Sequence, residues 1–285
     1  MRFIFSLYID ISESDLDYQP PYSGDDMPKT QRTKLQFIEH YDRLKESHQQ
    51  YAYDISTEYE LFEYDDSYKE FHKMFKEKYP MISEYCIVNF YKIHLLYELS
   101  KHYDEILYLD FDAVPVTDDD FFDRWNLDRG VAIYNNNDDY SLRYNRIQYQ
   151  SSNRSPLAKW WNTKAMLFDG GHSIVNDVYN TGIIGVNKEH LDKLDYFGNF
   201  DKTIELMTKV KNDNYYPEKV RNMFGYDNET VWGYKSKVNK VNTQWLDKEW
   251  HFFFDPLETW IPKNSKIVHC INKRFDDVWK FKSNL

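Results

Sequence analysis

From Ile106 to Leu109 the chain is continuously apolar, and the run ends in Asp110, Phe111 and Asp112. An apolar stretch without polar alternation fits a strand buried on both faces, as parallel strands of α/β sheets are. Such a strand needs helices on both sides of its sheet, and the flanking segments have the periodicity to supply them. Leu35, Ile38, Tyr41 and Leu44 recur at helical spacing within residues 31–48. A second helical stretch ends near Tyr79, where Pro80 stops it, and a third runs from Val88 to His102. Phe3 to Ile9 and Tyr59 to Tyr64 read as strands, and the polar stretch Ser12 to Thr30, with Pro20, Pro21 and Gly24, reads as a loop. The order strand, helix, strand, helix, strand predicts a nucleotide-binding α/β half with its ligand near the carboxyl ends of the strands.

Beyond it, Val131 to Tyr134 is another strand, and Asn135 to Ser155 is polar enough to read as a loop. Thr181 to Asn187 reads as a strand flanked by turn residues, Asp201 to Lys211 as a helix, and the rest as a tail rich in Trp. No internal repeat or linker interrupts the sequence. The expectation is therefore one domain over residues 1–285, in which the half from 135 onward completes the sheet begun in 1–134.

Composition narrows the function classes. A 285-residue chain that is 41% hydrophobic, with 25 tyrosines, has the apolar content to fold as a globule despite 29% charged residues. A net charge of −11 with no long basic run argues against a nucleic-acid partner, so an anionic ligand has to be met locally. Two cysteines, Cys86 and Cys270, are too few for a disulfide framework and lack metal-ligand spacing; they read as core thiols in a reducing compartment. Asp10 cuts short the N-terminal apolar run, and no run approaches the ~20 residues of a membrane span. These features predict a soluble, non-secreted, cytoplasmic protein.

Chemistry concentrates at Asp110 and Asp112. Strand alternation would put both carboxylates on one face and Phe111 on the other. Two carboxylates at the end of a buried strand suit a hard cation, Mn²⁺ or Mg²⁺, which keeps positions open for phosphate oxygens and offsets charge on a departing diphosphate. The structural alternative is a turn or helix cap, where Asp is common.

The stretch NFYKIHLLYELSKHYDEILYLDFDAVPVTDDDF resembles the centre of GT-A fold glycosyltransferases, in particular the glycogenin-like and galactosyltransferase-like retaining enzymes. The resemblance implies a GT-A type, mixed but mainly parallel sheet flanked by helices. It implies a nucleotide-diphosphate sugar donor, UDP being that family's commonest base, an Asp-x-Asp metal site, and a donor contact from a basic residue on the preceding helix, here Lys92. YNTGIIGVNKEHL is similar to the family's Asn-Ser-Gly segment and makes Asn180 and Thr181 sugar contacts. YDNETVWG is similar to its Asp-Gln-Asp segment and puts Asp227, Asn228 and Glu229 near the reacting carbon, with Asn where retaining relatives carry Gln. KIVHCINK is similar to the segment with the late His, making His269 a third metal ligand, with Lys273 and Arg274 as diphosphate contacts. The lysine stands closer to the His than in the family. By the same resemblance residues 135–285 complete the metal site and meet the acceptor, and retention is the implied stereochemistry. The acceptor, whether glycan, protein or lipid, is left open, because Ser12 to Thr30 and Asn135 to Asn176 match no family segment.

Each motif has a plainer reading. Lys92 could be an exposed helix lysine, Asn180 and Thr181 a turn before an edge strand, Asp227 a helix cap, and His269 a packing residue. Trp160, Trp161, Trp245, Trp250 and Trp260 could stack on sugar rings or belong to the core. The main rival activity is a haloacid dehalogenase-type phosphatase, in which Asp110 would be the nucleophile of a hydrophobic strand followed by Asp-x-Asp. That motif normally opens its domain, whereas more than 100 residues precede Asp110. A sugar-binding protein on a decayed transferase fold would not need the carboxylate pair, and a nucleotidyltransferase would need a Gly-rich basic loop after the first strand.

Overall fold

A computed structural model describes residues 1–15, 27–137 and 155–285 of the chain. Most of the polar stretch Asn135 to Ser155, and the middle of Ser12 to Thr30, lie outside the described residues. Among the described residues six strands form the central sheet, in the order β2-β1-β3-β6-β5-β7. They are β1 (Arg2–Leu7), β2 (Glu58–Phe62), β3 (Glu105–Leu109), β5 (Val131–Asn135), β6 (Tyr179–Asn187) and β7 (Thr243–Trp245). β1 pairs in parallel with β2 and β3, β5 pairs in parallel with β7, and β6 runs antiparallel to both β3 and β5. The sheet is thus mixed and mainly parallel, as expected, and β6 from the second half joins it directly to β3. A small second sheet holds β4 (Ala113–Pro115), β8 (Phe252–Phe253) and β9 (Ile267–His269).

The helices cover the sheet as the sequence predicts, with altered bounds. α1 spans Lys29–Asp54, six residues past the expected end, because Tyr51 and Ala52 continue the buried stripe of His40, Leu44 and His48. α2 (Asp66–Lys78) is capped by Asp65 and ends before Pro80. α3 (Glu84–Leu99) starts at the Ser83 cap, four residues ahead of the apolar signal at Val88, because capping rather than hydrophobicity fixes a helix start. The short α4 (Phe121–Arg124) follows β4. In the second half come α5 (Pro156–Asp169), α6 (Lys188–Leu194), α7 (Phe200–Asn212), α8 (Glu218–Met223), α9 (Asn228–Val238) and α10 (Phe275–Lys282).

β3 is the hub. Ile106, Leu107, Tyr108 and Leu109 are all buried, feeding one core under α2, α3 and α7 and another under α1 and α4. Gly182 and Gly185 lie inside β6, as the reading of Thr181 to Asn187 as a strand expects, and neighbouring rings press on the strand there: a Cβ at Gly185 would stand 2.5 Å from Cε1 of Phe121. Trp250 is core and Trp160 and Trp161 are half-buried, whereas Trp245 and Trp260 are exposed.

Candidate metal and donor site

The carboxylate pair sits just past β3. The backbone leaves the strand at Asp110 and reverses, with the Ala113 amide donating to the Asp110 carbonyl at 2.7 Å, so Asp110-Phe111-Asp112-Ala113 is a turn and not a continuation of the strand. Strand alternation is therefore the wrong reason for the right outcome: the turn still gathers both carboxylates on one side. Phe111 is anchored on the other side among Tyr8, Phe37, Tyr41 and His48, with ring centroids 5.2 to 6.0 Å away. Burial lowers His48 to about 4, so the ring behind the turn is neutral at pH 7.

His269 reaches the turn by strand pairing. β4 runs antiparallel to β9 with Ala113 opposite His269, and the Cys270 amide donates to the Asp112 carbonyl at 2.9 Å. Nε2 of His269 then lies 3.4 Å from Oδ1 of Asp112 and 3.7 Å from Oδ2 of Asp110. One ligand atom from each of the three residues falls within 4.8 Å of the others. Space for the imidazole is built into β6, where a Cβ on Gly182 would stand 2.4 Å from Cε1 and 2.8 Å from Nδ1 of His269. Two hard oxygens, one neutral-capable nitrogen and a ring bed that excludes even a methyl group fit a divalent cation such as Mn²⁺ or Mg²⁺.

Lysines neutralise the carboxylates. Lys92, only 2% exposed on α3, donates to Oδ1 of Asp110 at 3.1 Å, and the Tyr108 hydroxyl donates to the same oxygen at 2.5 Å. Its exposed-lysine reading is excluded. Lys273 donates to Oδ2 of Asp112, from a left-handed backbone (φ 58°) that folds the chain back toward the turn. Burial alone would raise the Asp112 carboxyl; the Lys273 ammonium and the His269 ring outweigh it and hold the group well below the usual carboxylate range. Arg274 is turned elsewhere, its guanidinium 4.3 Å from the Phe254 ring centroid and donating to the Glu258 carbonyl.

Asn180, Asp227, Asn228 and Glu229 line the same cavity of about 890 Å³ as the metal cluster, which also takes in Tyr8, Asp10, Phe37, Lys92 and Lys273. Thr181 does not line it: its amide and hydroxyl donate to Oε1 of Glu229 at 2.8 and 3.2 Å. The other Glu229 oxygen takes Lys159 of α5. Asp227 is the cap of α9, accepting from the Thr230 amide at 2.8 Å and the Thr230 hydroxyl at 2.6 Å, and burial raises its carboxyl despite Lys159 and these bonds. The Asn228 side-chain amide donates to Thr181 Oγ1 at 2.8 Å, and Asn180 Oδ1 accepts from the Gly182 amide at 2.9 Å.

No protein-family model and no curated protein matches this chain. Solved structures similar to it include the galactosyltransferase LgtC in complex with donor and acceptor sugar analogues, at 11% identity over 100% of this chain and 96% of that one, with a TM-score of 0.49. Another is a glycosyltransferase involved in glycosylation of the major capsid of PBCV-1, at 11% identity over 100% and 99% of the two chains (TM-score 0.44). A third is mouse xyloside xylosyltransferase 1, at 10% identity over 75% and 76% (TM-score 0.38). At such identities and scores these likenesses assign no residue a role.

Tyr108, Gly182, Lys159 and His251 belong to the site without having been singled out in the sequence. Tyr108 lies near the end of β3, two residues before Asp110, within reach of that carboxylate. Gly182 stands in the Asn-Thr-Gly stretch that carries the resemblance, whereas Lys159 and His251 meet the site through contacts distant in sequence and carry no local signal. Among the described residues no helix is long and apolar enough to cross a membrane. Cys270 is buried, as expected, while Cys86 is half-buried beside the cavity.

Proposed function

We propose that this chain is a metal-dependent glycosyltransferase that takes its sugar from a nucleoside diphosphate sugar, UDP being the expected base. The observation that carries the reading is the Asp110, Asp112 and His269 cluster on the wall of a cavity large enough for a nucleotide sugar. A bound divalent cation would supply Lewis-acid neutralisation of the leaving diphosphate. Asp110, Asp112 and His269 would hold it, Mn²⁺ being the expected ion with Mg²⁺ the alternative. Lys273, which pairs with Asp112, would turn to a diphosphate oxygen, and Lys92, which pairs with Asp110, would keep that carboxylate turned to the cation. Asn180 and Asn228 present amide groups along the cavity for sugar hydroxyls.

Retention is the stereochemistry this arrangement favours. An inverting enzyme needs a carboxylate free to take the proton of the acceptor hydroxyl. Glu229 is engaged by Thr181 and Lys159, and Asp227 by Thr230, so neither stands open as a base. In this reading Asp227 and Asn228 shape the sugar end of the cavity and Glu229 braces it. Attack on the same face of the sugar, with the departing phosphate taking the proton, asks for no such base.

The test is calorimetric titration of UDP with Mn²⁺ and with chelator, followed by a screen of nucleotide sugars for slow donor hydrolysis and proton NMR of the first product's anomeric signal. Metal-dependent UDP binding and a retained anomer are expected. Equal UDP affinity with and without metal overturns the reading, and labelling of Asp110 as an aspartyl-phosphate would establish the phosphatase alternative instead.

A further inference from the structure

His269 turns its two ring nitrogens to two different partners. Nε2 faces the carboxylates of Asp110 and Asp112, and Nδ1 lies 2.9 Å from Nε2 of His251. His251 is fully buried, with Phe253 stacked on its ring at 4.4 Å and Tyr134 at 4.9 Å, and its own Nδ1 has no hydrogen-bond partner among the described residues. We infer that His251 is a positioning residue for the metal centre: it accepts the Nδ1–H of His269 and so keeps the Nε2 lone pair aimed at the cation.

The inference rests on the metal-dependent reading above, and its logic is one of proton count. A neutral imidazole carries one proton. On Nε2 of His269 that proton would point at the carboxylates and leave nothing to ligate a cation. On Nδ1 it needs an acceptor, and His251 Nε2 stands at hydrogen-bond distance. His251 must then carry its own proton on Nδ1, which is the atom left without a partner. The hydrogen bond between the two rings thus ties the tautomer of one to the tautomer of the other. Carboxylates and backbone carbonyls are the usual partners behind a ligating histidine. A neutral histidine does the same without adding negative charge beside two carboxylates.

Without the cation the pair can take the opposite tautomers, His251 Nε2–H donating to His269 Nδ1 and His269 Nε2–H facing Asp112.

Two measurements on the full chain test this. Long-range proton–nitrogen correlation of the imidazoles, with saturating Mg²⁺ and UDP, should show both His251 and His269 protonated on Nδ1. A His251 protonated on Nε2 in the loaded protein overturns the inference. Mn²⁺ affinity in the presence of UDP should fall ~10- to 100-fold in His251→Phe, which has no acceptor, and recover substantially in His251→Gln, whose amide oxygen can accept. A merely packing role for His251 predicts no such split between variants with similar metal-free melting temperatures. If wild type binds tightly, His269→Ala weakly and His251→Phe like wild type, the role of His251 is refuted while the metal centre stands. If His269→Ala binds as wild type does, the metal centre has failed as read, and this inference with it. The imidazole spectrum of the wild type decides should His251→Phe not fold.

Discussion

Gly182→Ala probes the site through a single methyl group. The new Cβ would stand 2.4 Å from Cε1 of His269, and ordinary van der Waals contact begins near 3.4 Å, so ring and strand must separate by 3.4 − 2.4, about 1 Å. His269 has little room to retreat: His251 holds Nδ1 at 2.9 Å and Phe253 lies 5.3 Å from the ring centroid. Ligand distances in metal sites tolerate about 0.2 Å, so a shift several times larger removes the imidazole from the coordination sphere. Mn²⁺ affinity with UDP present should fall at least ~10-fold, and the overpacked strand should lose about 1–3 kcal/mol of metal-free stability. The control is the same substitution in a His269→Ala background. Gly182 is not in a left-handed conformation, and with the ring gone the remaining close neighbour of the new Cβ is Asn180 Oδ1 at 3.0 Å, so the alanine should cost clearly less stability than it does beside His269. Isothermal titration gives the affinity and denaturant unfolding the stability. A single variant that binds Mn²⁺ like wild type at unchanged stability, or a control that is just as destabilised, would refute the close-approach argument.

His48 gives a pH signature. It titrates at about 4 in the fold against 6.5 when unfolded, so the unfolded state binds the extra proton first as pH falls. Its contribution is fully present above pH 6.5 and is lost between 6.5 and 4, a gap of 6.5 − 4 or 2.5 units, about 3 kcal/mol. Metal-free unfolding followed from pH 7.5 to 4 should show this loss, and His48→Gln should flatten the profile by a comparable amount; parallel profiles would contradict it. For Glu229, the double-mutant cycle of Glu229→Gln with Lys159→Met should give a coupling above ~1 kcal/mol, as a mostly buried pair implies. Additive effects on stability, with activity abolished by Glu229→Gln alone, would return Glu229 to the role of a base.

Legibility in the sequence followed the range of the forces involved. β3 was readable because a strand buried on both faces leaves an uninterrupted apolar run, and α2 because a proline stops it. The early start of α3 was missed at the Ser83 cap, a signal carried by one polar side chain. Asp110 and Asp112 stood out by position, although their turn did not: an i to i+3 hydrogen bond has no hydrophobic period. His269 was reached only through resemblance, since its approach depends on the pairing of β4 with β9 across 156 residues (269 − 113). The strand over Thr181 to Asn187 was readable, but not why it needs glycine at 182 and 185, because the rings that require them, His269 and Phe121, are remote in sequence. Lys159 and His251 are ordinary residues until α5 and the approach to β8 bring them beside Glu229 and His269.

The charges of the cavity show why a protein with a net charge of −11 can be read as a diphosphate binder. Four of the acidic groups that line it have a lysine at hand: Lys34 on Asp10 at 2.9 Å, Lys92 on Asp110, Lys273 on Asp112 and Lys159 on Glu229. The surface is acidic, but the walls of the cavity are locally neutralised. A cation entering alone would displace Lys273 from Asp112 and leave that ammonium, 12% exposed, without a counter-charge. A diphosphate entering alone would meet two carboxylates already held by lysines. On the proposed function the two would arrive together and exchange partners, with Asp112 holding the cation and Lys273 meeting phosphate, so that no charge would be left buried and alone. The metal dependence expected for UDP is the measurable form of this exchange, and by linkage UDP must strengthen Mn²⁺ binding by the same factor that Mn²⁺ strengthens UDP binding.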